Sequence, residues 1–155
     1  MRKASAALLL LCASVHAAAA FDANEVTLGS PEKLIKARFP NAHCQALQWL
    51  SRAADRRCDD SRITVGGIEA RITFYLKKDA VEAFDLRFDS RDLGPFTGFL
   101  EKRFGKARSE NTEKLRKLEW QDNGERAVLT TEQGKRRASL LVWRGNFEEE
   151  IYRVR

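Results

Sequence analysis

Catalytic signatures are what this sequence has least of. It contains no HExxH, GxSxG, Walker A or GxGxxG pattern. That removes the chemistries which need those residues at fixed spacing. Histidine is nearly absent, with only two in the chain, His16 and His43. Cysteine is scarce as well, at three residues, Cys12, Cys44 and Cys58. No apolar run is long enough to span a bilayer as a helix, and no stretch has the composition of a low-complexity linker. Charge of one sign is not in large excess: 28 Lys and Arg stand against 22 Asp and Glu, both interspersed. Such a mixed surface gives no strong nucleic-acid signal.

What is present begins with a leader. Arg2 and Lys3 precede a short apolar stretch over residues 6–15, and Ala18, Ala19 and Ala20 offer a small-x-small cleavage site. This is the pattern of a secretory signal peptide over residues 1–20, with the mature chain starting at Phe21. Leu11 precedes Cys12 where a lipoprotein requires a small residue, so lipidation is not expected. The mature chain, residues 21–155, suits one domain. Localisation is therefore expected to be periplasmic or secreted. Cys44 and Cys58 remain after cleavage, and an even count behind a leader predicts a disulfide. Its loop of about 15 residues would contribute about 3 kcal/mol in the chain-entropy account.

The organising stretch is Leu28-Gly29-Ser30-Pro31 through Arg38-Phe39-Pro40-Asn41-Ala42. A diverged copy lies 65 residues on, pairing Leu28 with Leu93, Gly29 with Gly94, Arg38 with Arg103, Phe39 with Phe104 and Ala42 with Ala107. Leu34, Ile35 and Phe39 fall on one helical stripe, as do Phe99, Leu100 and Phe104. Proline opens each helix, and Pro40 and Gly105 end them. A further helix is predicted over 43–54, where Cys44, Leu47, Leu50 and Ala54 have helical spacing. Strands are predicted at 62–65, 68–76, 81–88, 115–121, 126–131 and 138–144, with a last one over 149–154. Gly66-Gly67 and Asn123-Gly124 mark hairpin turns. Residues 108–114 read as a polar connection. The expected fold class is α+β: two tandem helix-then-antiparallel-meander units, about 21–91 and 92–155, with helices packed on one face of an antiparallel sheet.

Alternation places Ile68, Ala70, Ile72, Phe74 and Leu76 on the buried side of that sheet. Arg71, Thr73, Tyr75, Asp85 and Arg87 then share the other side, continued by Trp143, Thr130 and Lys117. Tyr, Trp and Arg are the types enriched in interface hot spots, so Arg71, Tyr75, Arg87 and Trp143 are the candidate binding residues. Cys44, Cys58, His43 and Asp59 fit no standard zinc spacing. No metal, cofactor or catalytic residue is assigned. Adjacent carboxylates such as Asp59-Asp60 and Glu148-Glu149-Glu150 point apart in extended chain and read as solvated charge.

The Leu28-Gly29 and Leu93-Gly94 starts, with Phe104-Gly105-Lys106-Ala107, make the chain similar to periplasmic tandem α-β modules. These are the β-lactamase-inhibitor-protein fold and the small lipoproteins of outer-membrane assembly. The likeness is topological and covers most of 21–155; Ala107 stands where those lipoproteins carry Pro, and no lipobox is present. The resemblance implies a non-enzymatic role, with an envelope protein bound through the sheet's polar face. The alternatives are a secreted hydrolase with carboxylates drawn from both units, or a protein binding polyanions such as lipopolysaccharide or nucleic acid. Intact-mass spectrometry of the non-reduced exported protein is expected to find Phe21 at the N-terminus and Cys44 joined to Cys58. Two free thiols would refute the pairing.

Overall fold

The computed structural model describes residues 20–154. The leader read over 1–20, apart from Ala20, lies outside the described residues. The chain opens with a small hairpin, β1 (Asp22–Ala23) and β2 (Val26–Thr27), followed by helix α1 (Glu32–Arg38). Four strands come next: β3 (His43–Ala46), β4 (Arg56–Val65), β5 (Ile68–Lys77) and β6 (Ala80–Asp89). A 3-10 turn at Ser90–Asp92 leads into α2 (Leu93–Phe104). Then follow β7 (Arg108–Asn111), β8 (Leu115–Asp122), β9 (Glu125–Glu132), β10 (Arg137–Arg144) and a single turn of helix, α3 (Phe147–Glu150).

These strands form one eight-stranded antiparallel sheet in the order β3-β4-β5-β6-β10-β9-β8-β7. The expectation of two tandem helix-then-meander units is thereby overturned. The molecule is mostly sheet with few short helices, and the sheet runs unbroken across the expected boundary. The physical reason is the pairing of β6 with β10. Phe84 lies opposite Val142, Leu86 opposite Leu140 and Phe88 opposite Ala138. All six side chains point into one shared core, so splitting the sheet there would expose apolar surface on both strands.

That core lies on a single face, here called the inner face. Ile72, Phe74, Leu86 and Leu129 come from the strands; Ile35 comes from α1, and Phe96 and Leu100 from α2. Phe39, just past α1, meets Phe74 with ring centroids 5.2 Å apart, and Phe96 meets Phe88 at 4.9 Å. Trp120 donates its indole N–H to the Gly105 carbonyl at 2.8 Å, tying β8 to the end of α2. Glu32 at the start of α1 accepts from Arg56 of β4 at 2.7 Å and pairs with Lys36 at 2.8 Å. Those two cations hold its carboxyl at about 2.

Three local expectations also change. Residues 43–54 are not a helix. Cys44 lies directly opposite Cys58 and is bonded to it, which holds 43–46 as an edge strand, and the chain then loops back with Leu47 N–H bonded to Asp55 O at 2.9 Å. Leu50, counted on the helical stripe, is 68% exposed. The polar stretch after α2 pairs with β8 as β7, the opposite edge of the sheet. The strand expected over 149–154 is replaced by α3 and a turn, and α3 lies on the outer face of the sheet, away from α1 and α2. The helices are therefore not confined to one face.

Hairpin turns follow their residues closely. Gly66 and Gly67 join β4 to β5 at φ of 55° and 80°, the left-handed values a twist-matched two-residue turn needs. Gly66 has a second constraint: a Cβ there would stand 2.6 Å from the Phe99 ring. At Gly67 nothing lies within 4 Å. Gly66→Ala is expected to destabilise by about 2 to 3 kcal/mol and Gly67→Ala by about 1 kcal/mol, since only the first adds overpacking to backbone strain. Urea unfolding of the two variants measures the difference.

Candidate functional site

The outer face is built by the alternate residues of the same strands, and it divides into a covered end and an open one. The covered end carries a second, smaller core. Tyr75, Ala83 and Trp143 on the sheet are packed under Ala53 and Ala54 of the 47–55 loop and under Phe147 and Ile151 at the C-terminal end. Tyr75 meets Phe147 at 5.2 Å. The two covering segments are bonded to each other: Trp49 donates its indole N–H to Ile151 O at 2.8 Å, and Ser51 Oγ donates to Glu150 O at 3.2 Å. Trp49 also stacks on Tyr152 at 6.0 Å.

Of the candidate binding residues on this polar face, two are covered rather than presented to solvent. Tyr75 is 7% exposed and Trp143 is 2% exposed. Arg126 lies over the Trp143 ring at 4.9 Å. Burial pushes the Tyr75 hydroxyl above its ordinary pKa. These two aromatics form the wall where the cover begins. The reason is visible in β10, where Leu140, Leu141, Val142 and Trp143 run consecutively. A strand that is apolar on both sides is a strand covered on both sides.

Arg71 and Arg87 lie on the open end, both exposed. Cross-strand register sets out a continuous row. Arg71 is opposite Arg87, Arg87 opposite Ser139, Ser139 opposite Thr130, and Thr130 opposite Lys117. Five strands thus contribute one row of hydrogen-bond donors with no carboxylate between its ends. Glu110 of β7 comes next, opposite Lys117. Beside the row, a recess of about 270 Å³ runs under the edge of the cover, floored by Val128, Leu141 and Trp143 and bordered by Arg87, Lys117, Thr130 and Ser139. It is continuous through Arg87, Thr130 and Ser139 with a shallower depression at the β9–β10 turn, where Lys135, Arg136 and Arg137 stand. Ser139, Leu141 and Val128 were not singled out by sequence; the alternation of β9 and β10 could have found them.

Most carboxylates near this trough already have cations. Asp85 accepts from Arg87 at 2.8 Å. Glu69 pairs with Arg62, and Asp89 with Arg91. Glu119 accepts from Arg126 and Arg108 at 2.7 Å each and from Gln121 at 2.8 Å. Among the described residues, Arg71, Lys117, Lys135, Arg136 and Arg137 close no ion pair, and the unpaired carboxylates facing them are Glu110, Glu132 and Glu148. The trough has a positive excess although the whole surface is mixed.

Burial pushes the Asp85 carboxyl up, and Arg87 only partly draws it back. Burial also acts on Asp59, but Arg57 at 2.6 Å and the Thr73 hydroxyl at 2.7 Å outweigh it and leave that carboxyl below its usual range. Asp59 and Asp85 flank Thr73 on neighbouring strands, yet only Asp85 borders the recess. Asp59 is spent on its two donors. A pair free to act as acid and base across one cleft is not formed by them. His43 and Cys44, consecutive in β3, point to opposite faces. Glu32, Cys44 and Cys58 lie within 4.8 Å of one another, but both sulfurs are consumed in the disulfide.

No family model matches the chain, and no curated protein matches it. A solved structure of a GTP-binding regulator from Thermotoga maritima is similar with a TM-score of 0.42 and 13% identity, covering 78% of this chain and 84% of that one. At that level the likeness carries no argument about this chain.

Burial raises the Glu119 carboxyl, but Arg126, Arg108 and Gln121 together outweigh it and hold it at about 2. A carboxyl lowered in the fold contributes stability above its unfolded value, near 4.5, and loses it as pH falls toward 2. Glu119→Gln is expected to be less stable than the parent at pH 7 and to converge with it near pH 2. Thermal unfolding across that range measures the convergence; parallel curves would show that the cluster contributes nothing.

Proposed function

We propose that this chain is an exported, non-catalytic binding protein that holds another protein of the cell envelope against the trough on its outer sheet face. The observation that carries the reading is the recess at the edge of the cover. It sets an apolar floor of Val128, Leu141 and Trp143 beside a polar rim of Arg87, Ser139, Thr130 and Lys117, with Asp85 and Glu148 on the side of the cover. A desolvated anchor pocket ringed by polar groups is the arrangement that interface hot spots use. The floor is backed by the second core and the rim by the sheet, so the surface is rigid before a partner arrives, which lowers the ordering cost of association.

Export is supported by the leader pattern and by the Cys44–Cys58 bond, since disulfides persist in oxidising compartments. No helix among the described residues is long and apolar enough to cross a membrane. Asp85 and Glu148 both border the recess, but Asp85 is engaged by Arg87 at 2.8 Å, so binding is preferred to hydrolysis as the reading.

The test is site-directed photo-crosslinking in cells. A photoreactive residue replacing Ser139, on the rim, is expected to give a discrete adduct with an envelope protein. The same group replacing Lys102, on α2 and across the molecule, is expected to give none. The Ser139 adduct should weaken at least several-fold when Arg71→Ala and Lys117→Ala are added. Identical adducts from both positions, or none from Ser139, would sink the reading.

A further inference from the structure

The row of donors carries more than a location. Like charges set directly opposite on neighbouring strands destabilise a sheet, and Arg71 opposite Arg87 is such a pair. Arg87 is drawn aside by Asp85 of its own strand. Arg71 has no ion-pair partner among the described residues, nor has Lys117 at the other end of the row. Between them lie Arg87 and the hydroxyls of Ser139 and Thr130, each able to donate. The sheet has therefore assembled guanidinium, hydroxyl and ammonium groups in line across five strands with no carboxylate in the line itself; Glu110 stands only beyond its Lys117 end.

Resting on the binding reading above, we propose that the segment bound in the trough is acidic and amphipathic: an extended stretch of the partner protein that places carboxylates along the Arg71–Lys117 row and an apolar side chain over Leu141. Charge complementarity selects the carboxylates. The adjoining recess selects a polypeptide over a polysaccharide or nucleic acid. At about 270 Å³ it has room for one or two apolar side chains, and a polyanion with only phosphate or sulfate to offer would leave its floor unfilled. The same size argues against a multi-chain lipid. An extended peptide suits the geometry because its side chains alternate, so carboxylates and apolar groups can fall on separate sides of one short run.

The experiment uses the mature chain, residues 21–155, and a fluorescent peptide alternating glutamate with leucine, read by anisotropy. Three comparison probes are a glutamate–serine peptide, a lysine–leucine peptide and heparin. The glutamate–leucine peptide is expected to bind, and roughly tenfold more tightly than glutamate–serine, with no measurable binding of lysine–leucine. Arg71→Ala with Lys117→Ala should weaken it by roughly tenfold. Neither residue closes an ion pair, so the fold should survive, as circular dichroism would verify. Displacement of the peptide by heparin at matched charge, or equal binding of all three peptides, would overturn the proposal in favour of a general polyanion surface or none. If the Ser139 crosslink captures its partner while no acidic peptide binds, the acidic assignment falls and the binding reading stands. If neither occurs, both fall.

Discussion

The pairing of β6 with β10 is the constraint on which the rest of the molecule depends. It is the seam where the strands nearer the N-terminus meet those nearer the C-terminus, and it runs over seven register pairs from Arg137 opposite Asp89 to Trp143 opposite Ala83. On the inner side it locks Phe84, Leu86 and Phe88 against Val142, Leu140 and Ala138. On the outer side it sets Asp85 beside Leu141 and Arg87 beside Ser139. The same backbone ladder thus fixes the core and the trough. A slip of one residue would exchange the two faces, burying Arg87 and exposing Leu86. The cost of that exchange is what specifies the register.

The cover over Tyr75 and Trp143 depends on the seam in turn. Its pieces come from residues 47–55 and 147–152, about a hundred positions apart in sequence, and they meet only because the sheet brings β3's loop and the end of β10 to the same place. Trp49 and Ser51 supply side-chain donors to the carbonyls of Ile151 and Glu150. Carbonyls at the end of so short a helix lack intrahelical partners: Glu150 O accepts from Arg153 N–H at 3.0 Å as well as from Ser51, and Trp49 supplies the donor for Ile151 O. The recess is the step where this cover stops.

Local pattern made much of this legible. Period-two alternation from Ile68 onward, bounded by Gly66-Gly67, marked β5 and its turn. Asn123-Gly124 marked the β8–β9 turn, and the pair Cys44 and Cys58 marked the bond now seen between β3 and β4. What local pattern could not supply was which strand lies beside which. A helical reading of 43–54 rested on the spacing of Cys44, Leu47, Leu50 and Ala54, and that spacing is equally produced by an edge strand followed by a loop that folds back. The two-unit architecture failed for a related reason: likeness between the stretches at 28–42 and 93–107 says nothing of the long-range pairing that merges their strands. The side of the sheet on which Arg71 and Arg87 stand could be read from alternation. The burial of Tyr75 and Trp143 could not, because the residues that bury them are distant in the chain, although the run from Leu140 to Trp143 held the signal.

Both borders of the sheet are short. β3 is four residues clamped by the disulfide, and β7 is four exposed residues carrying Arg108 and Glu110. Short, charged or pinned margins give a stray strand little ladder to extend. The broad surface of the sheet is thus where side chains are free to make contacts, and neighbouring copies of the chain are denied the main-chain template that would zip them into fibrils.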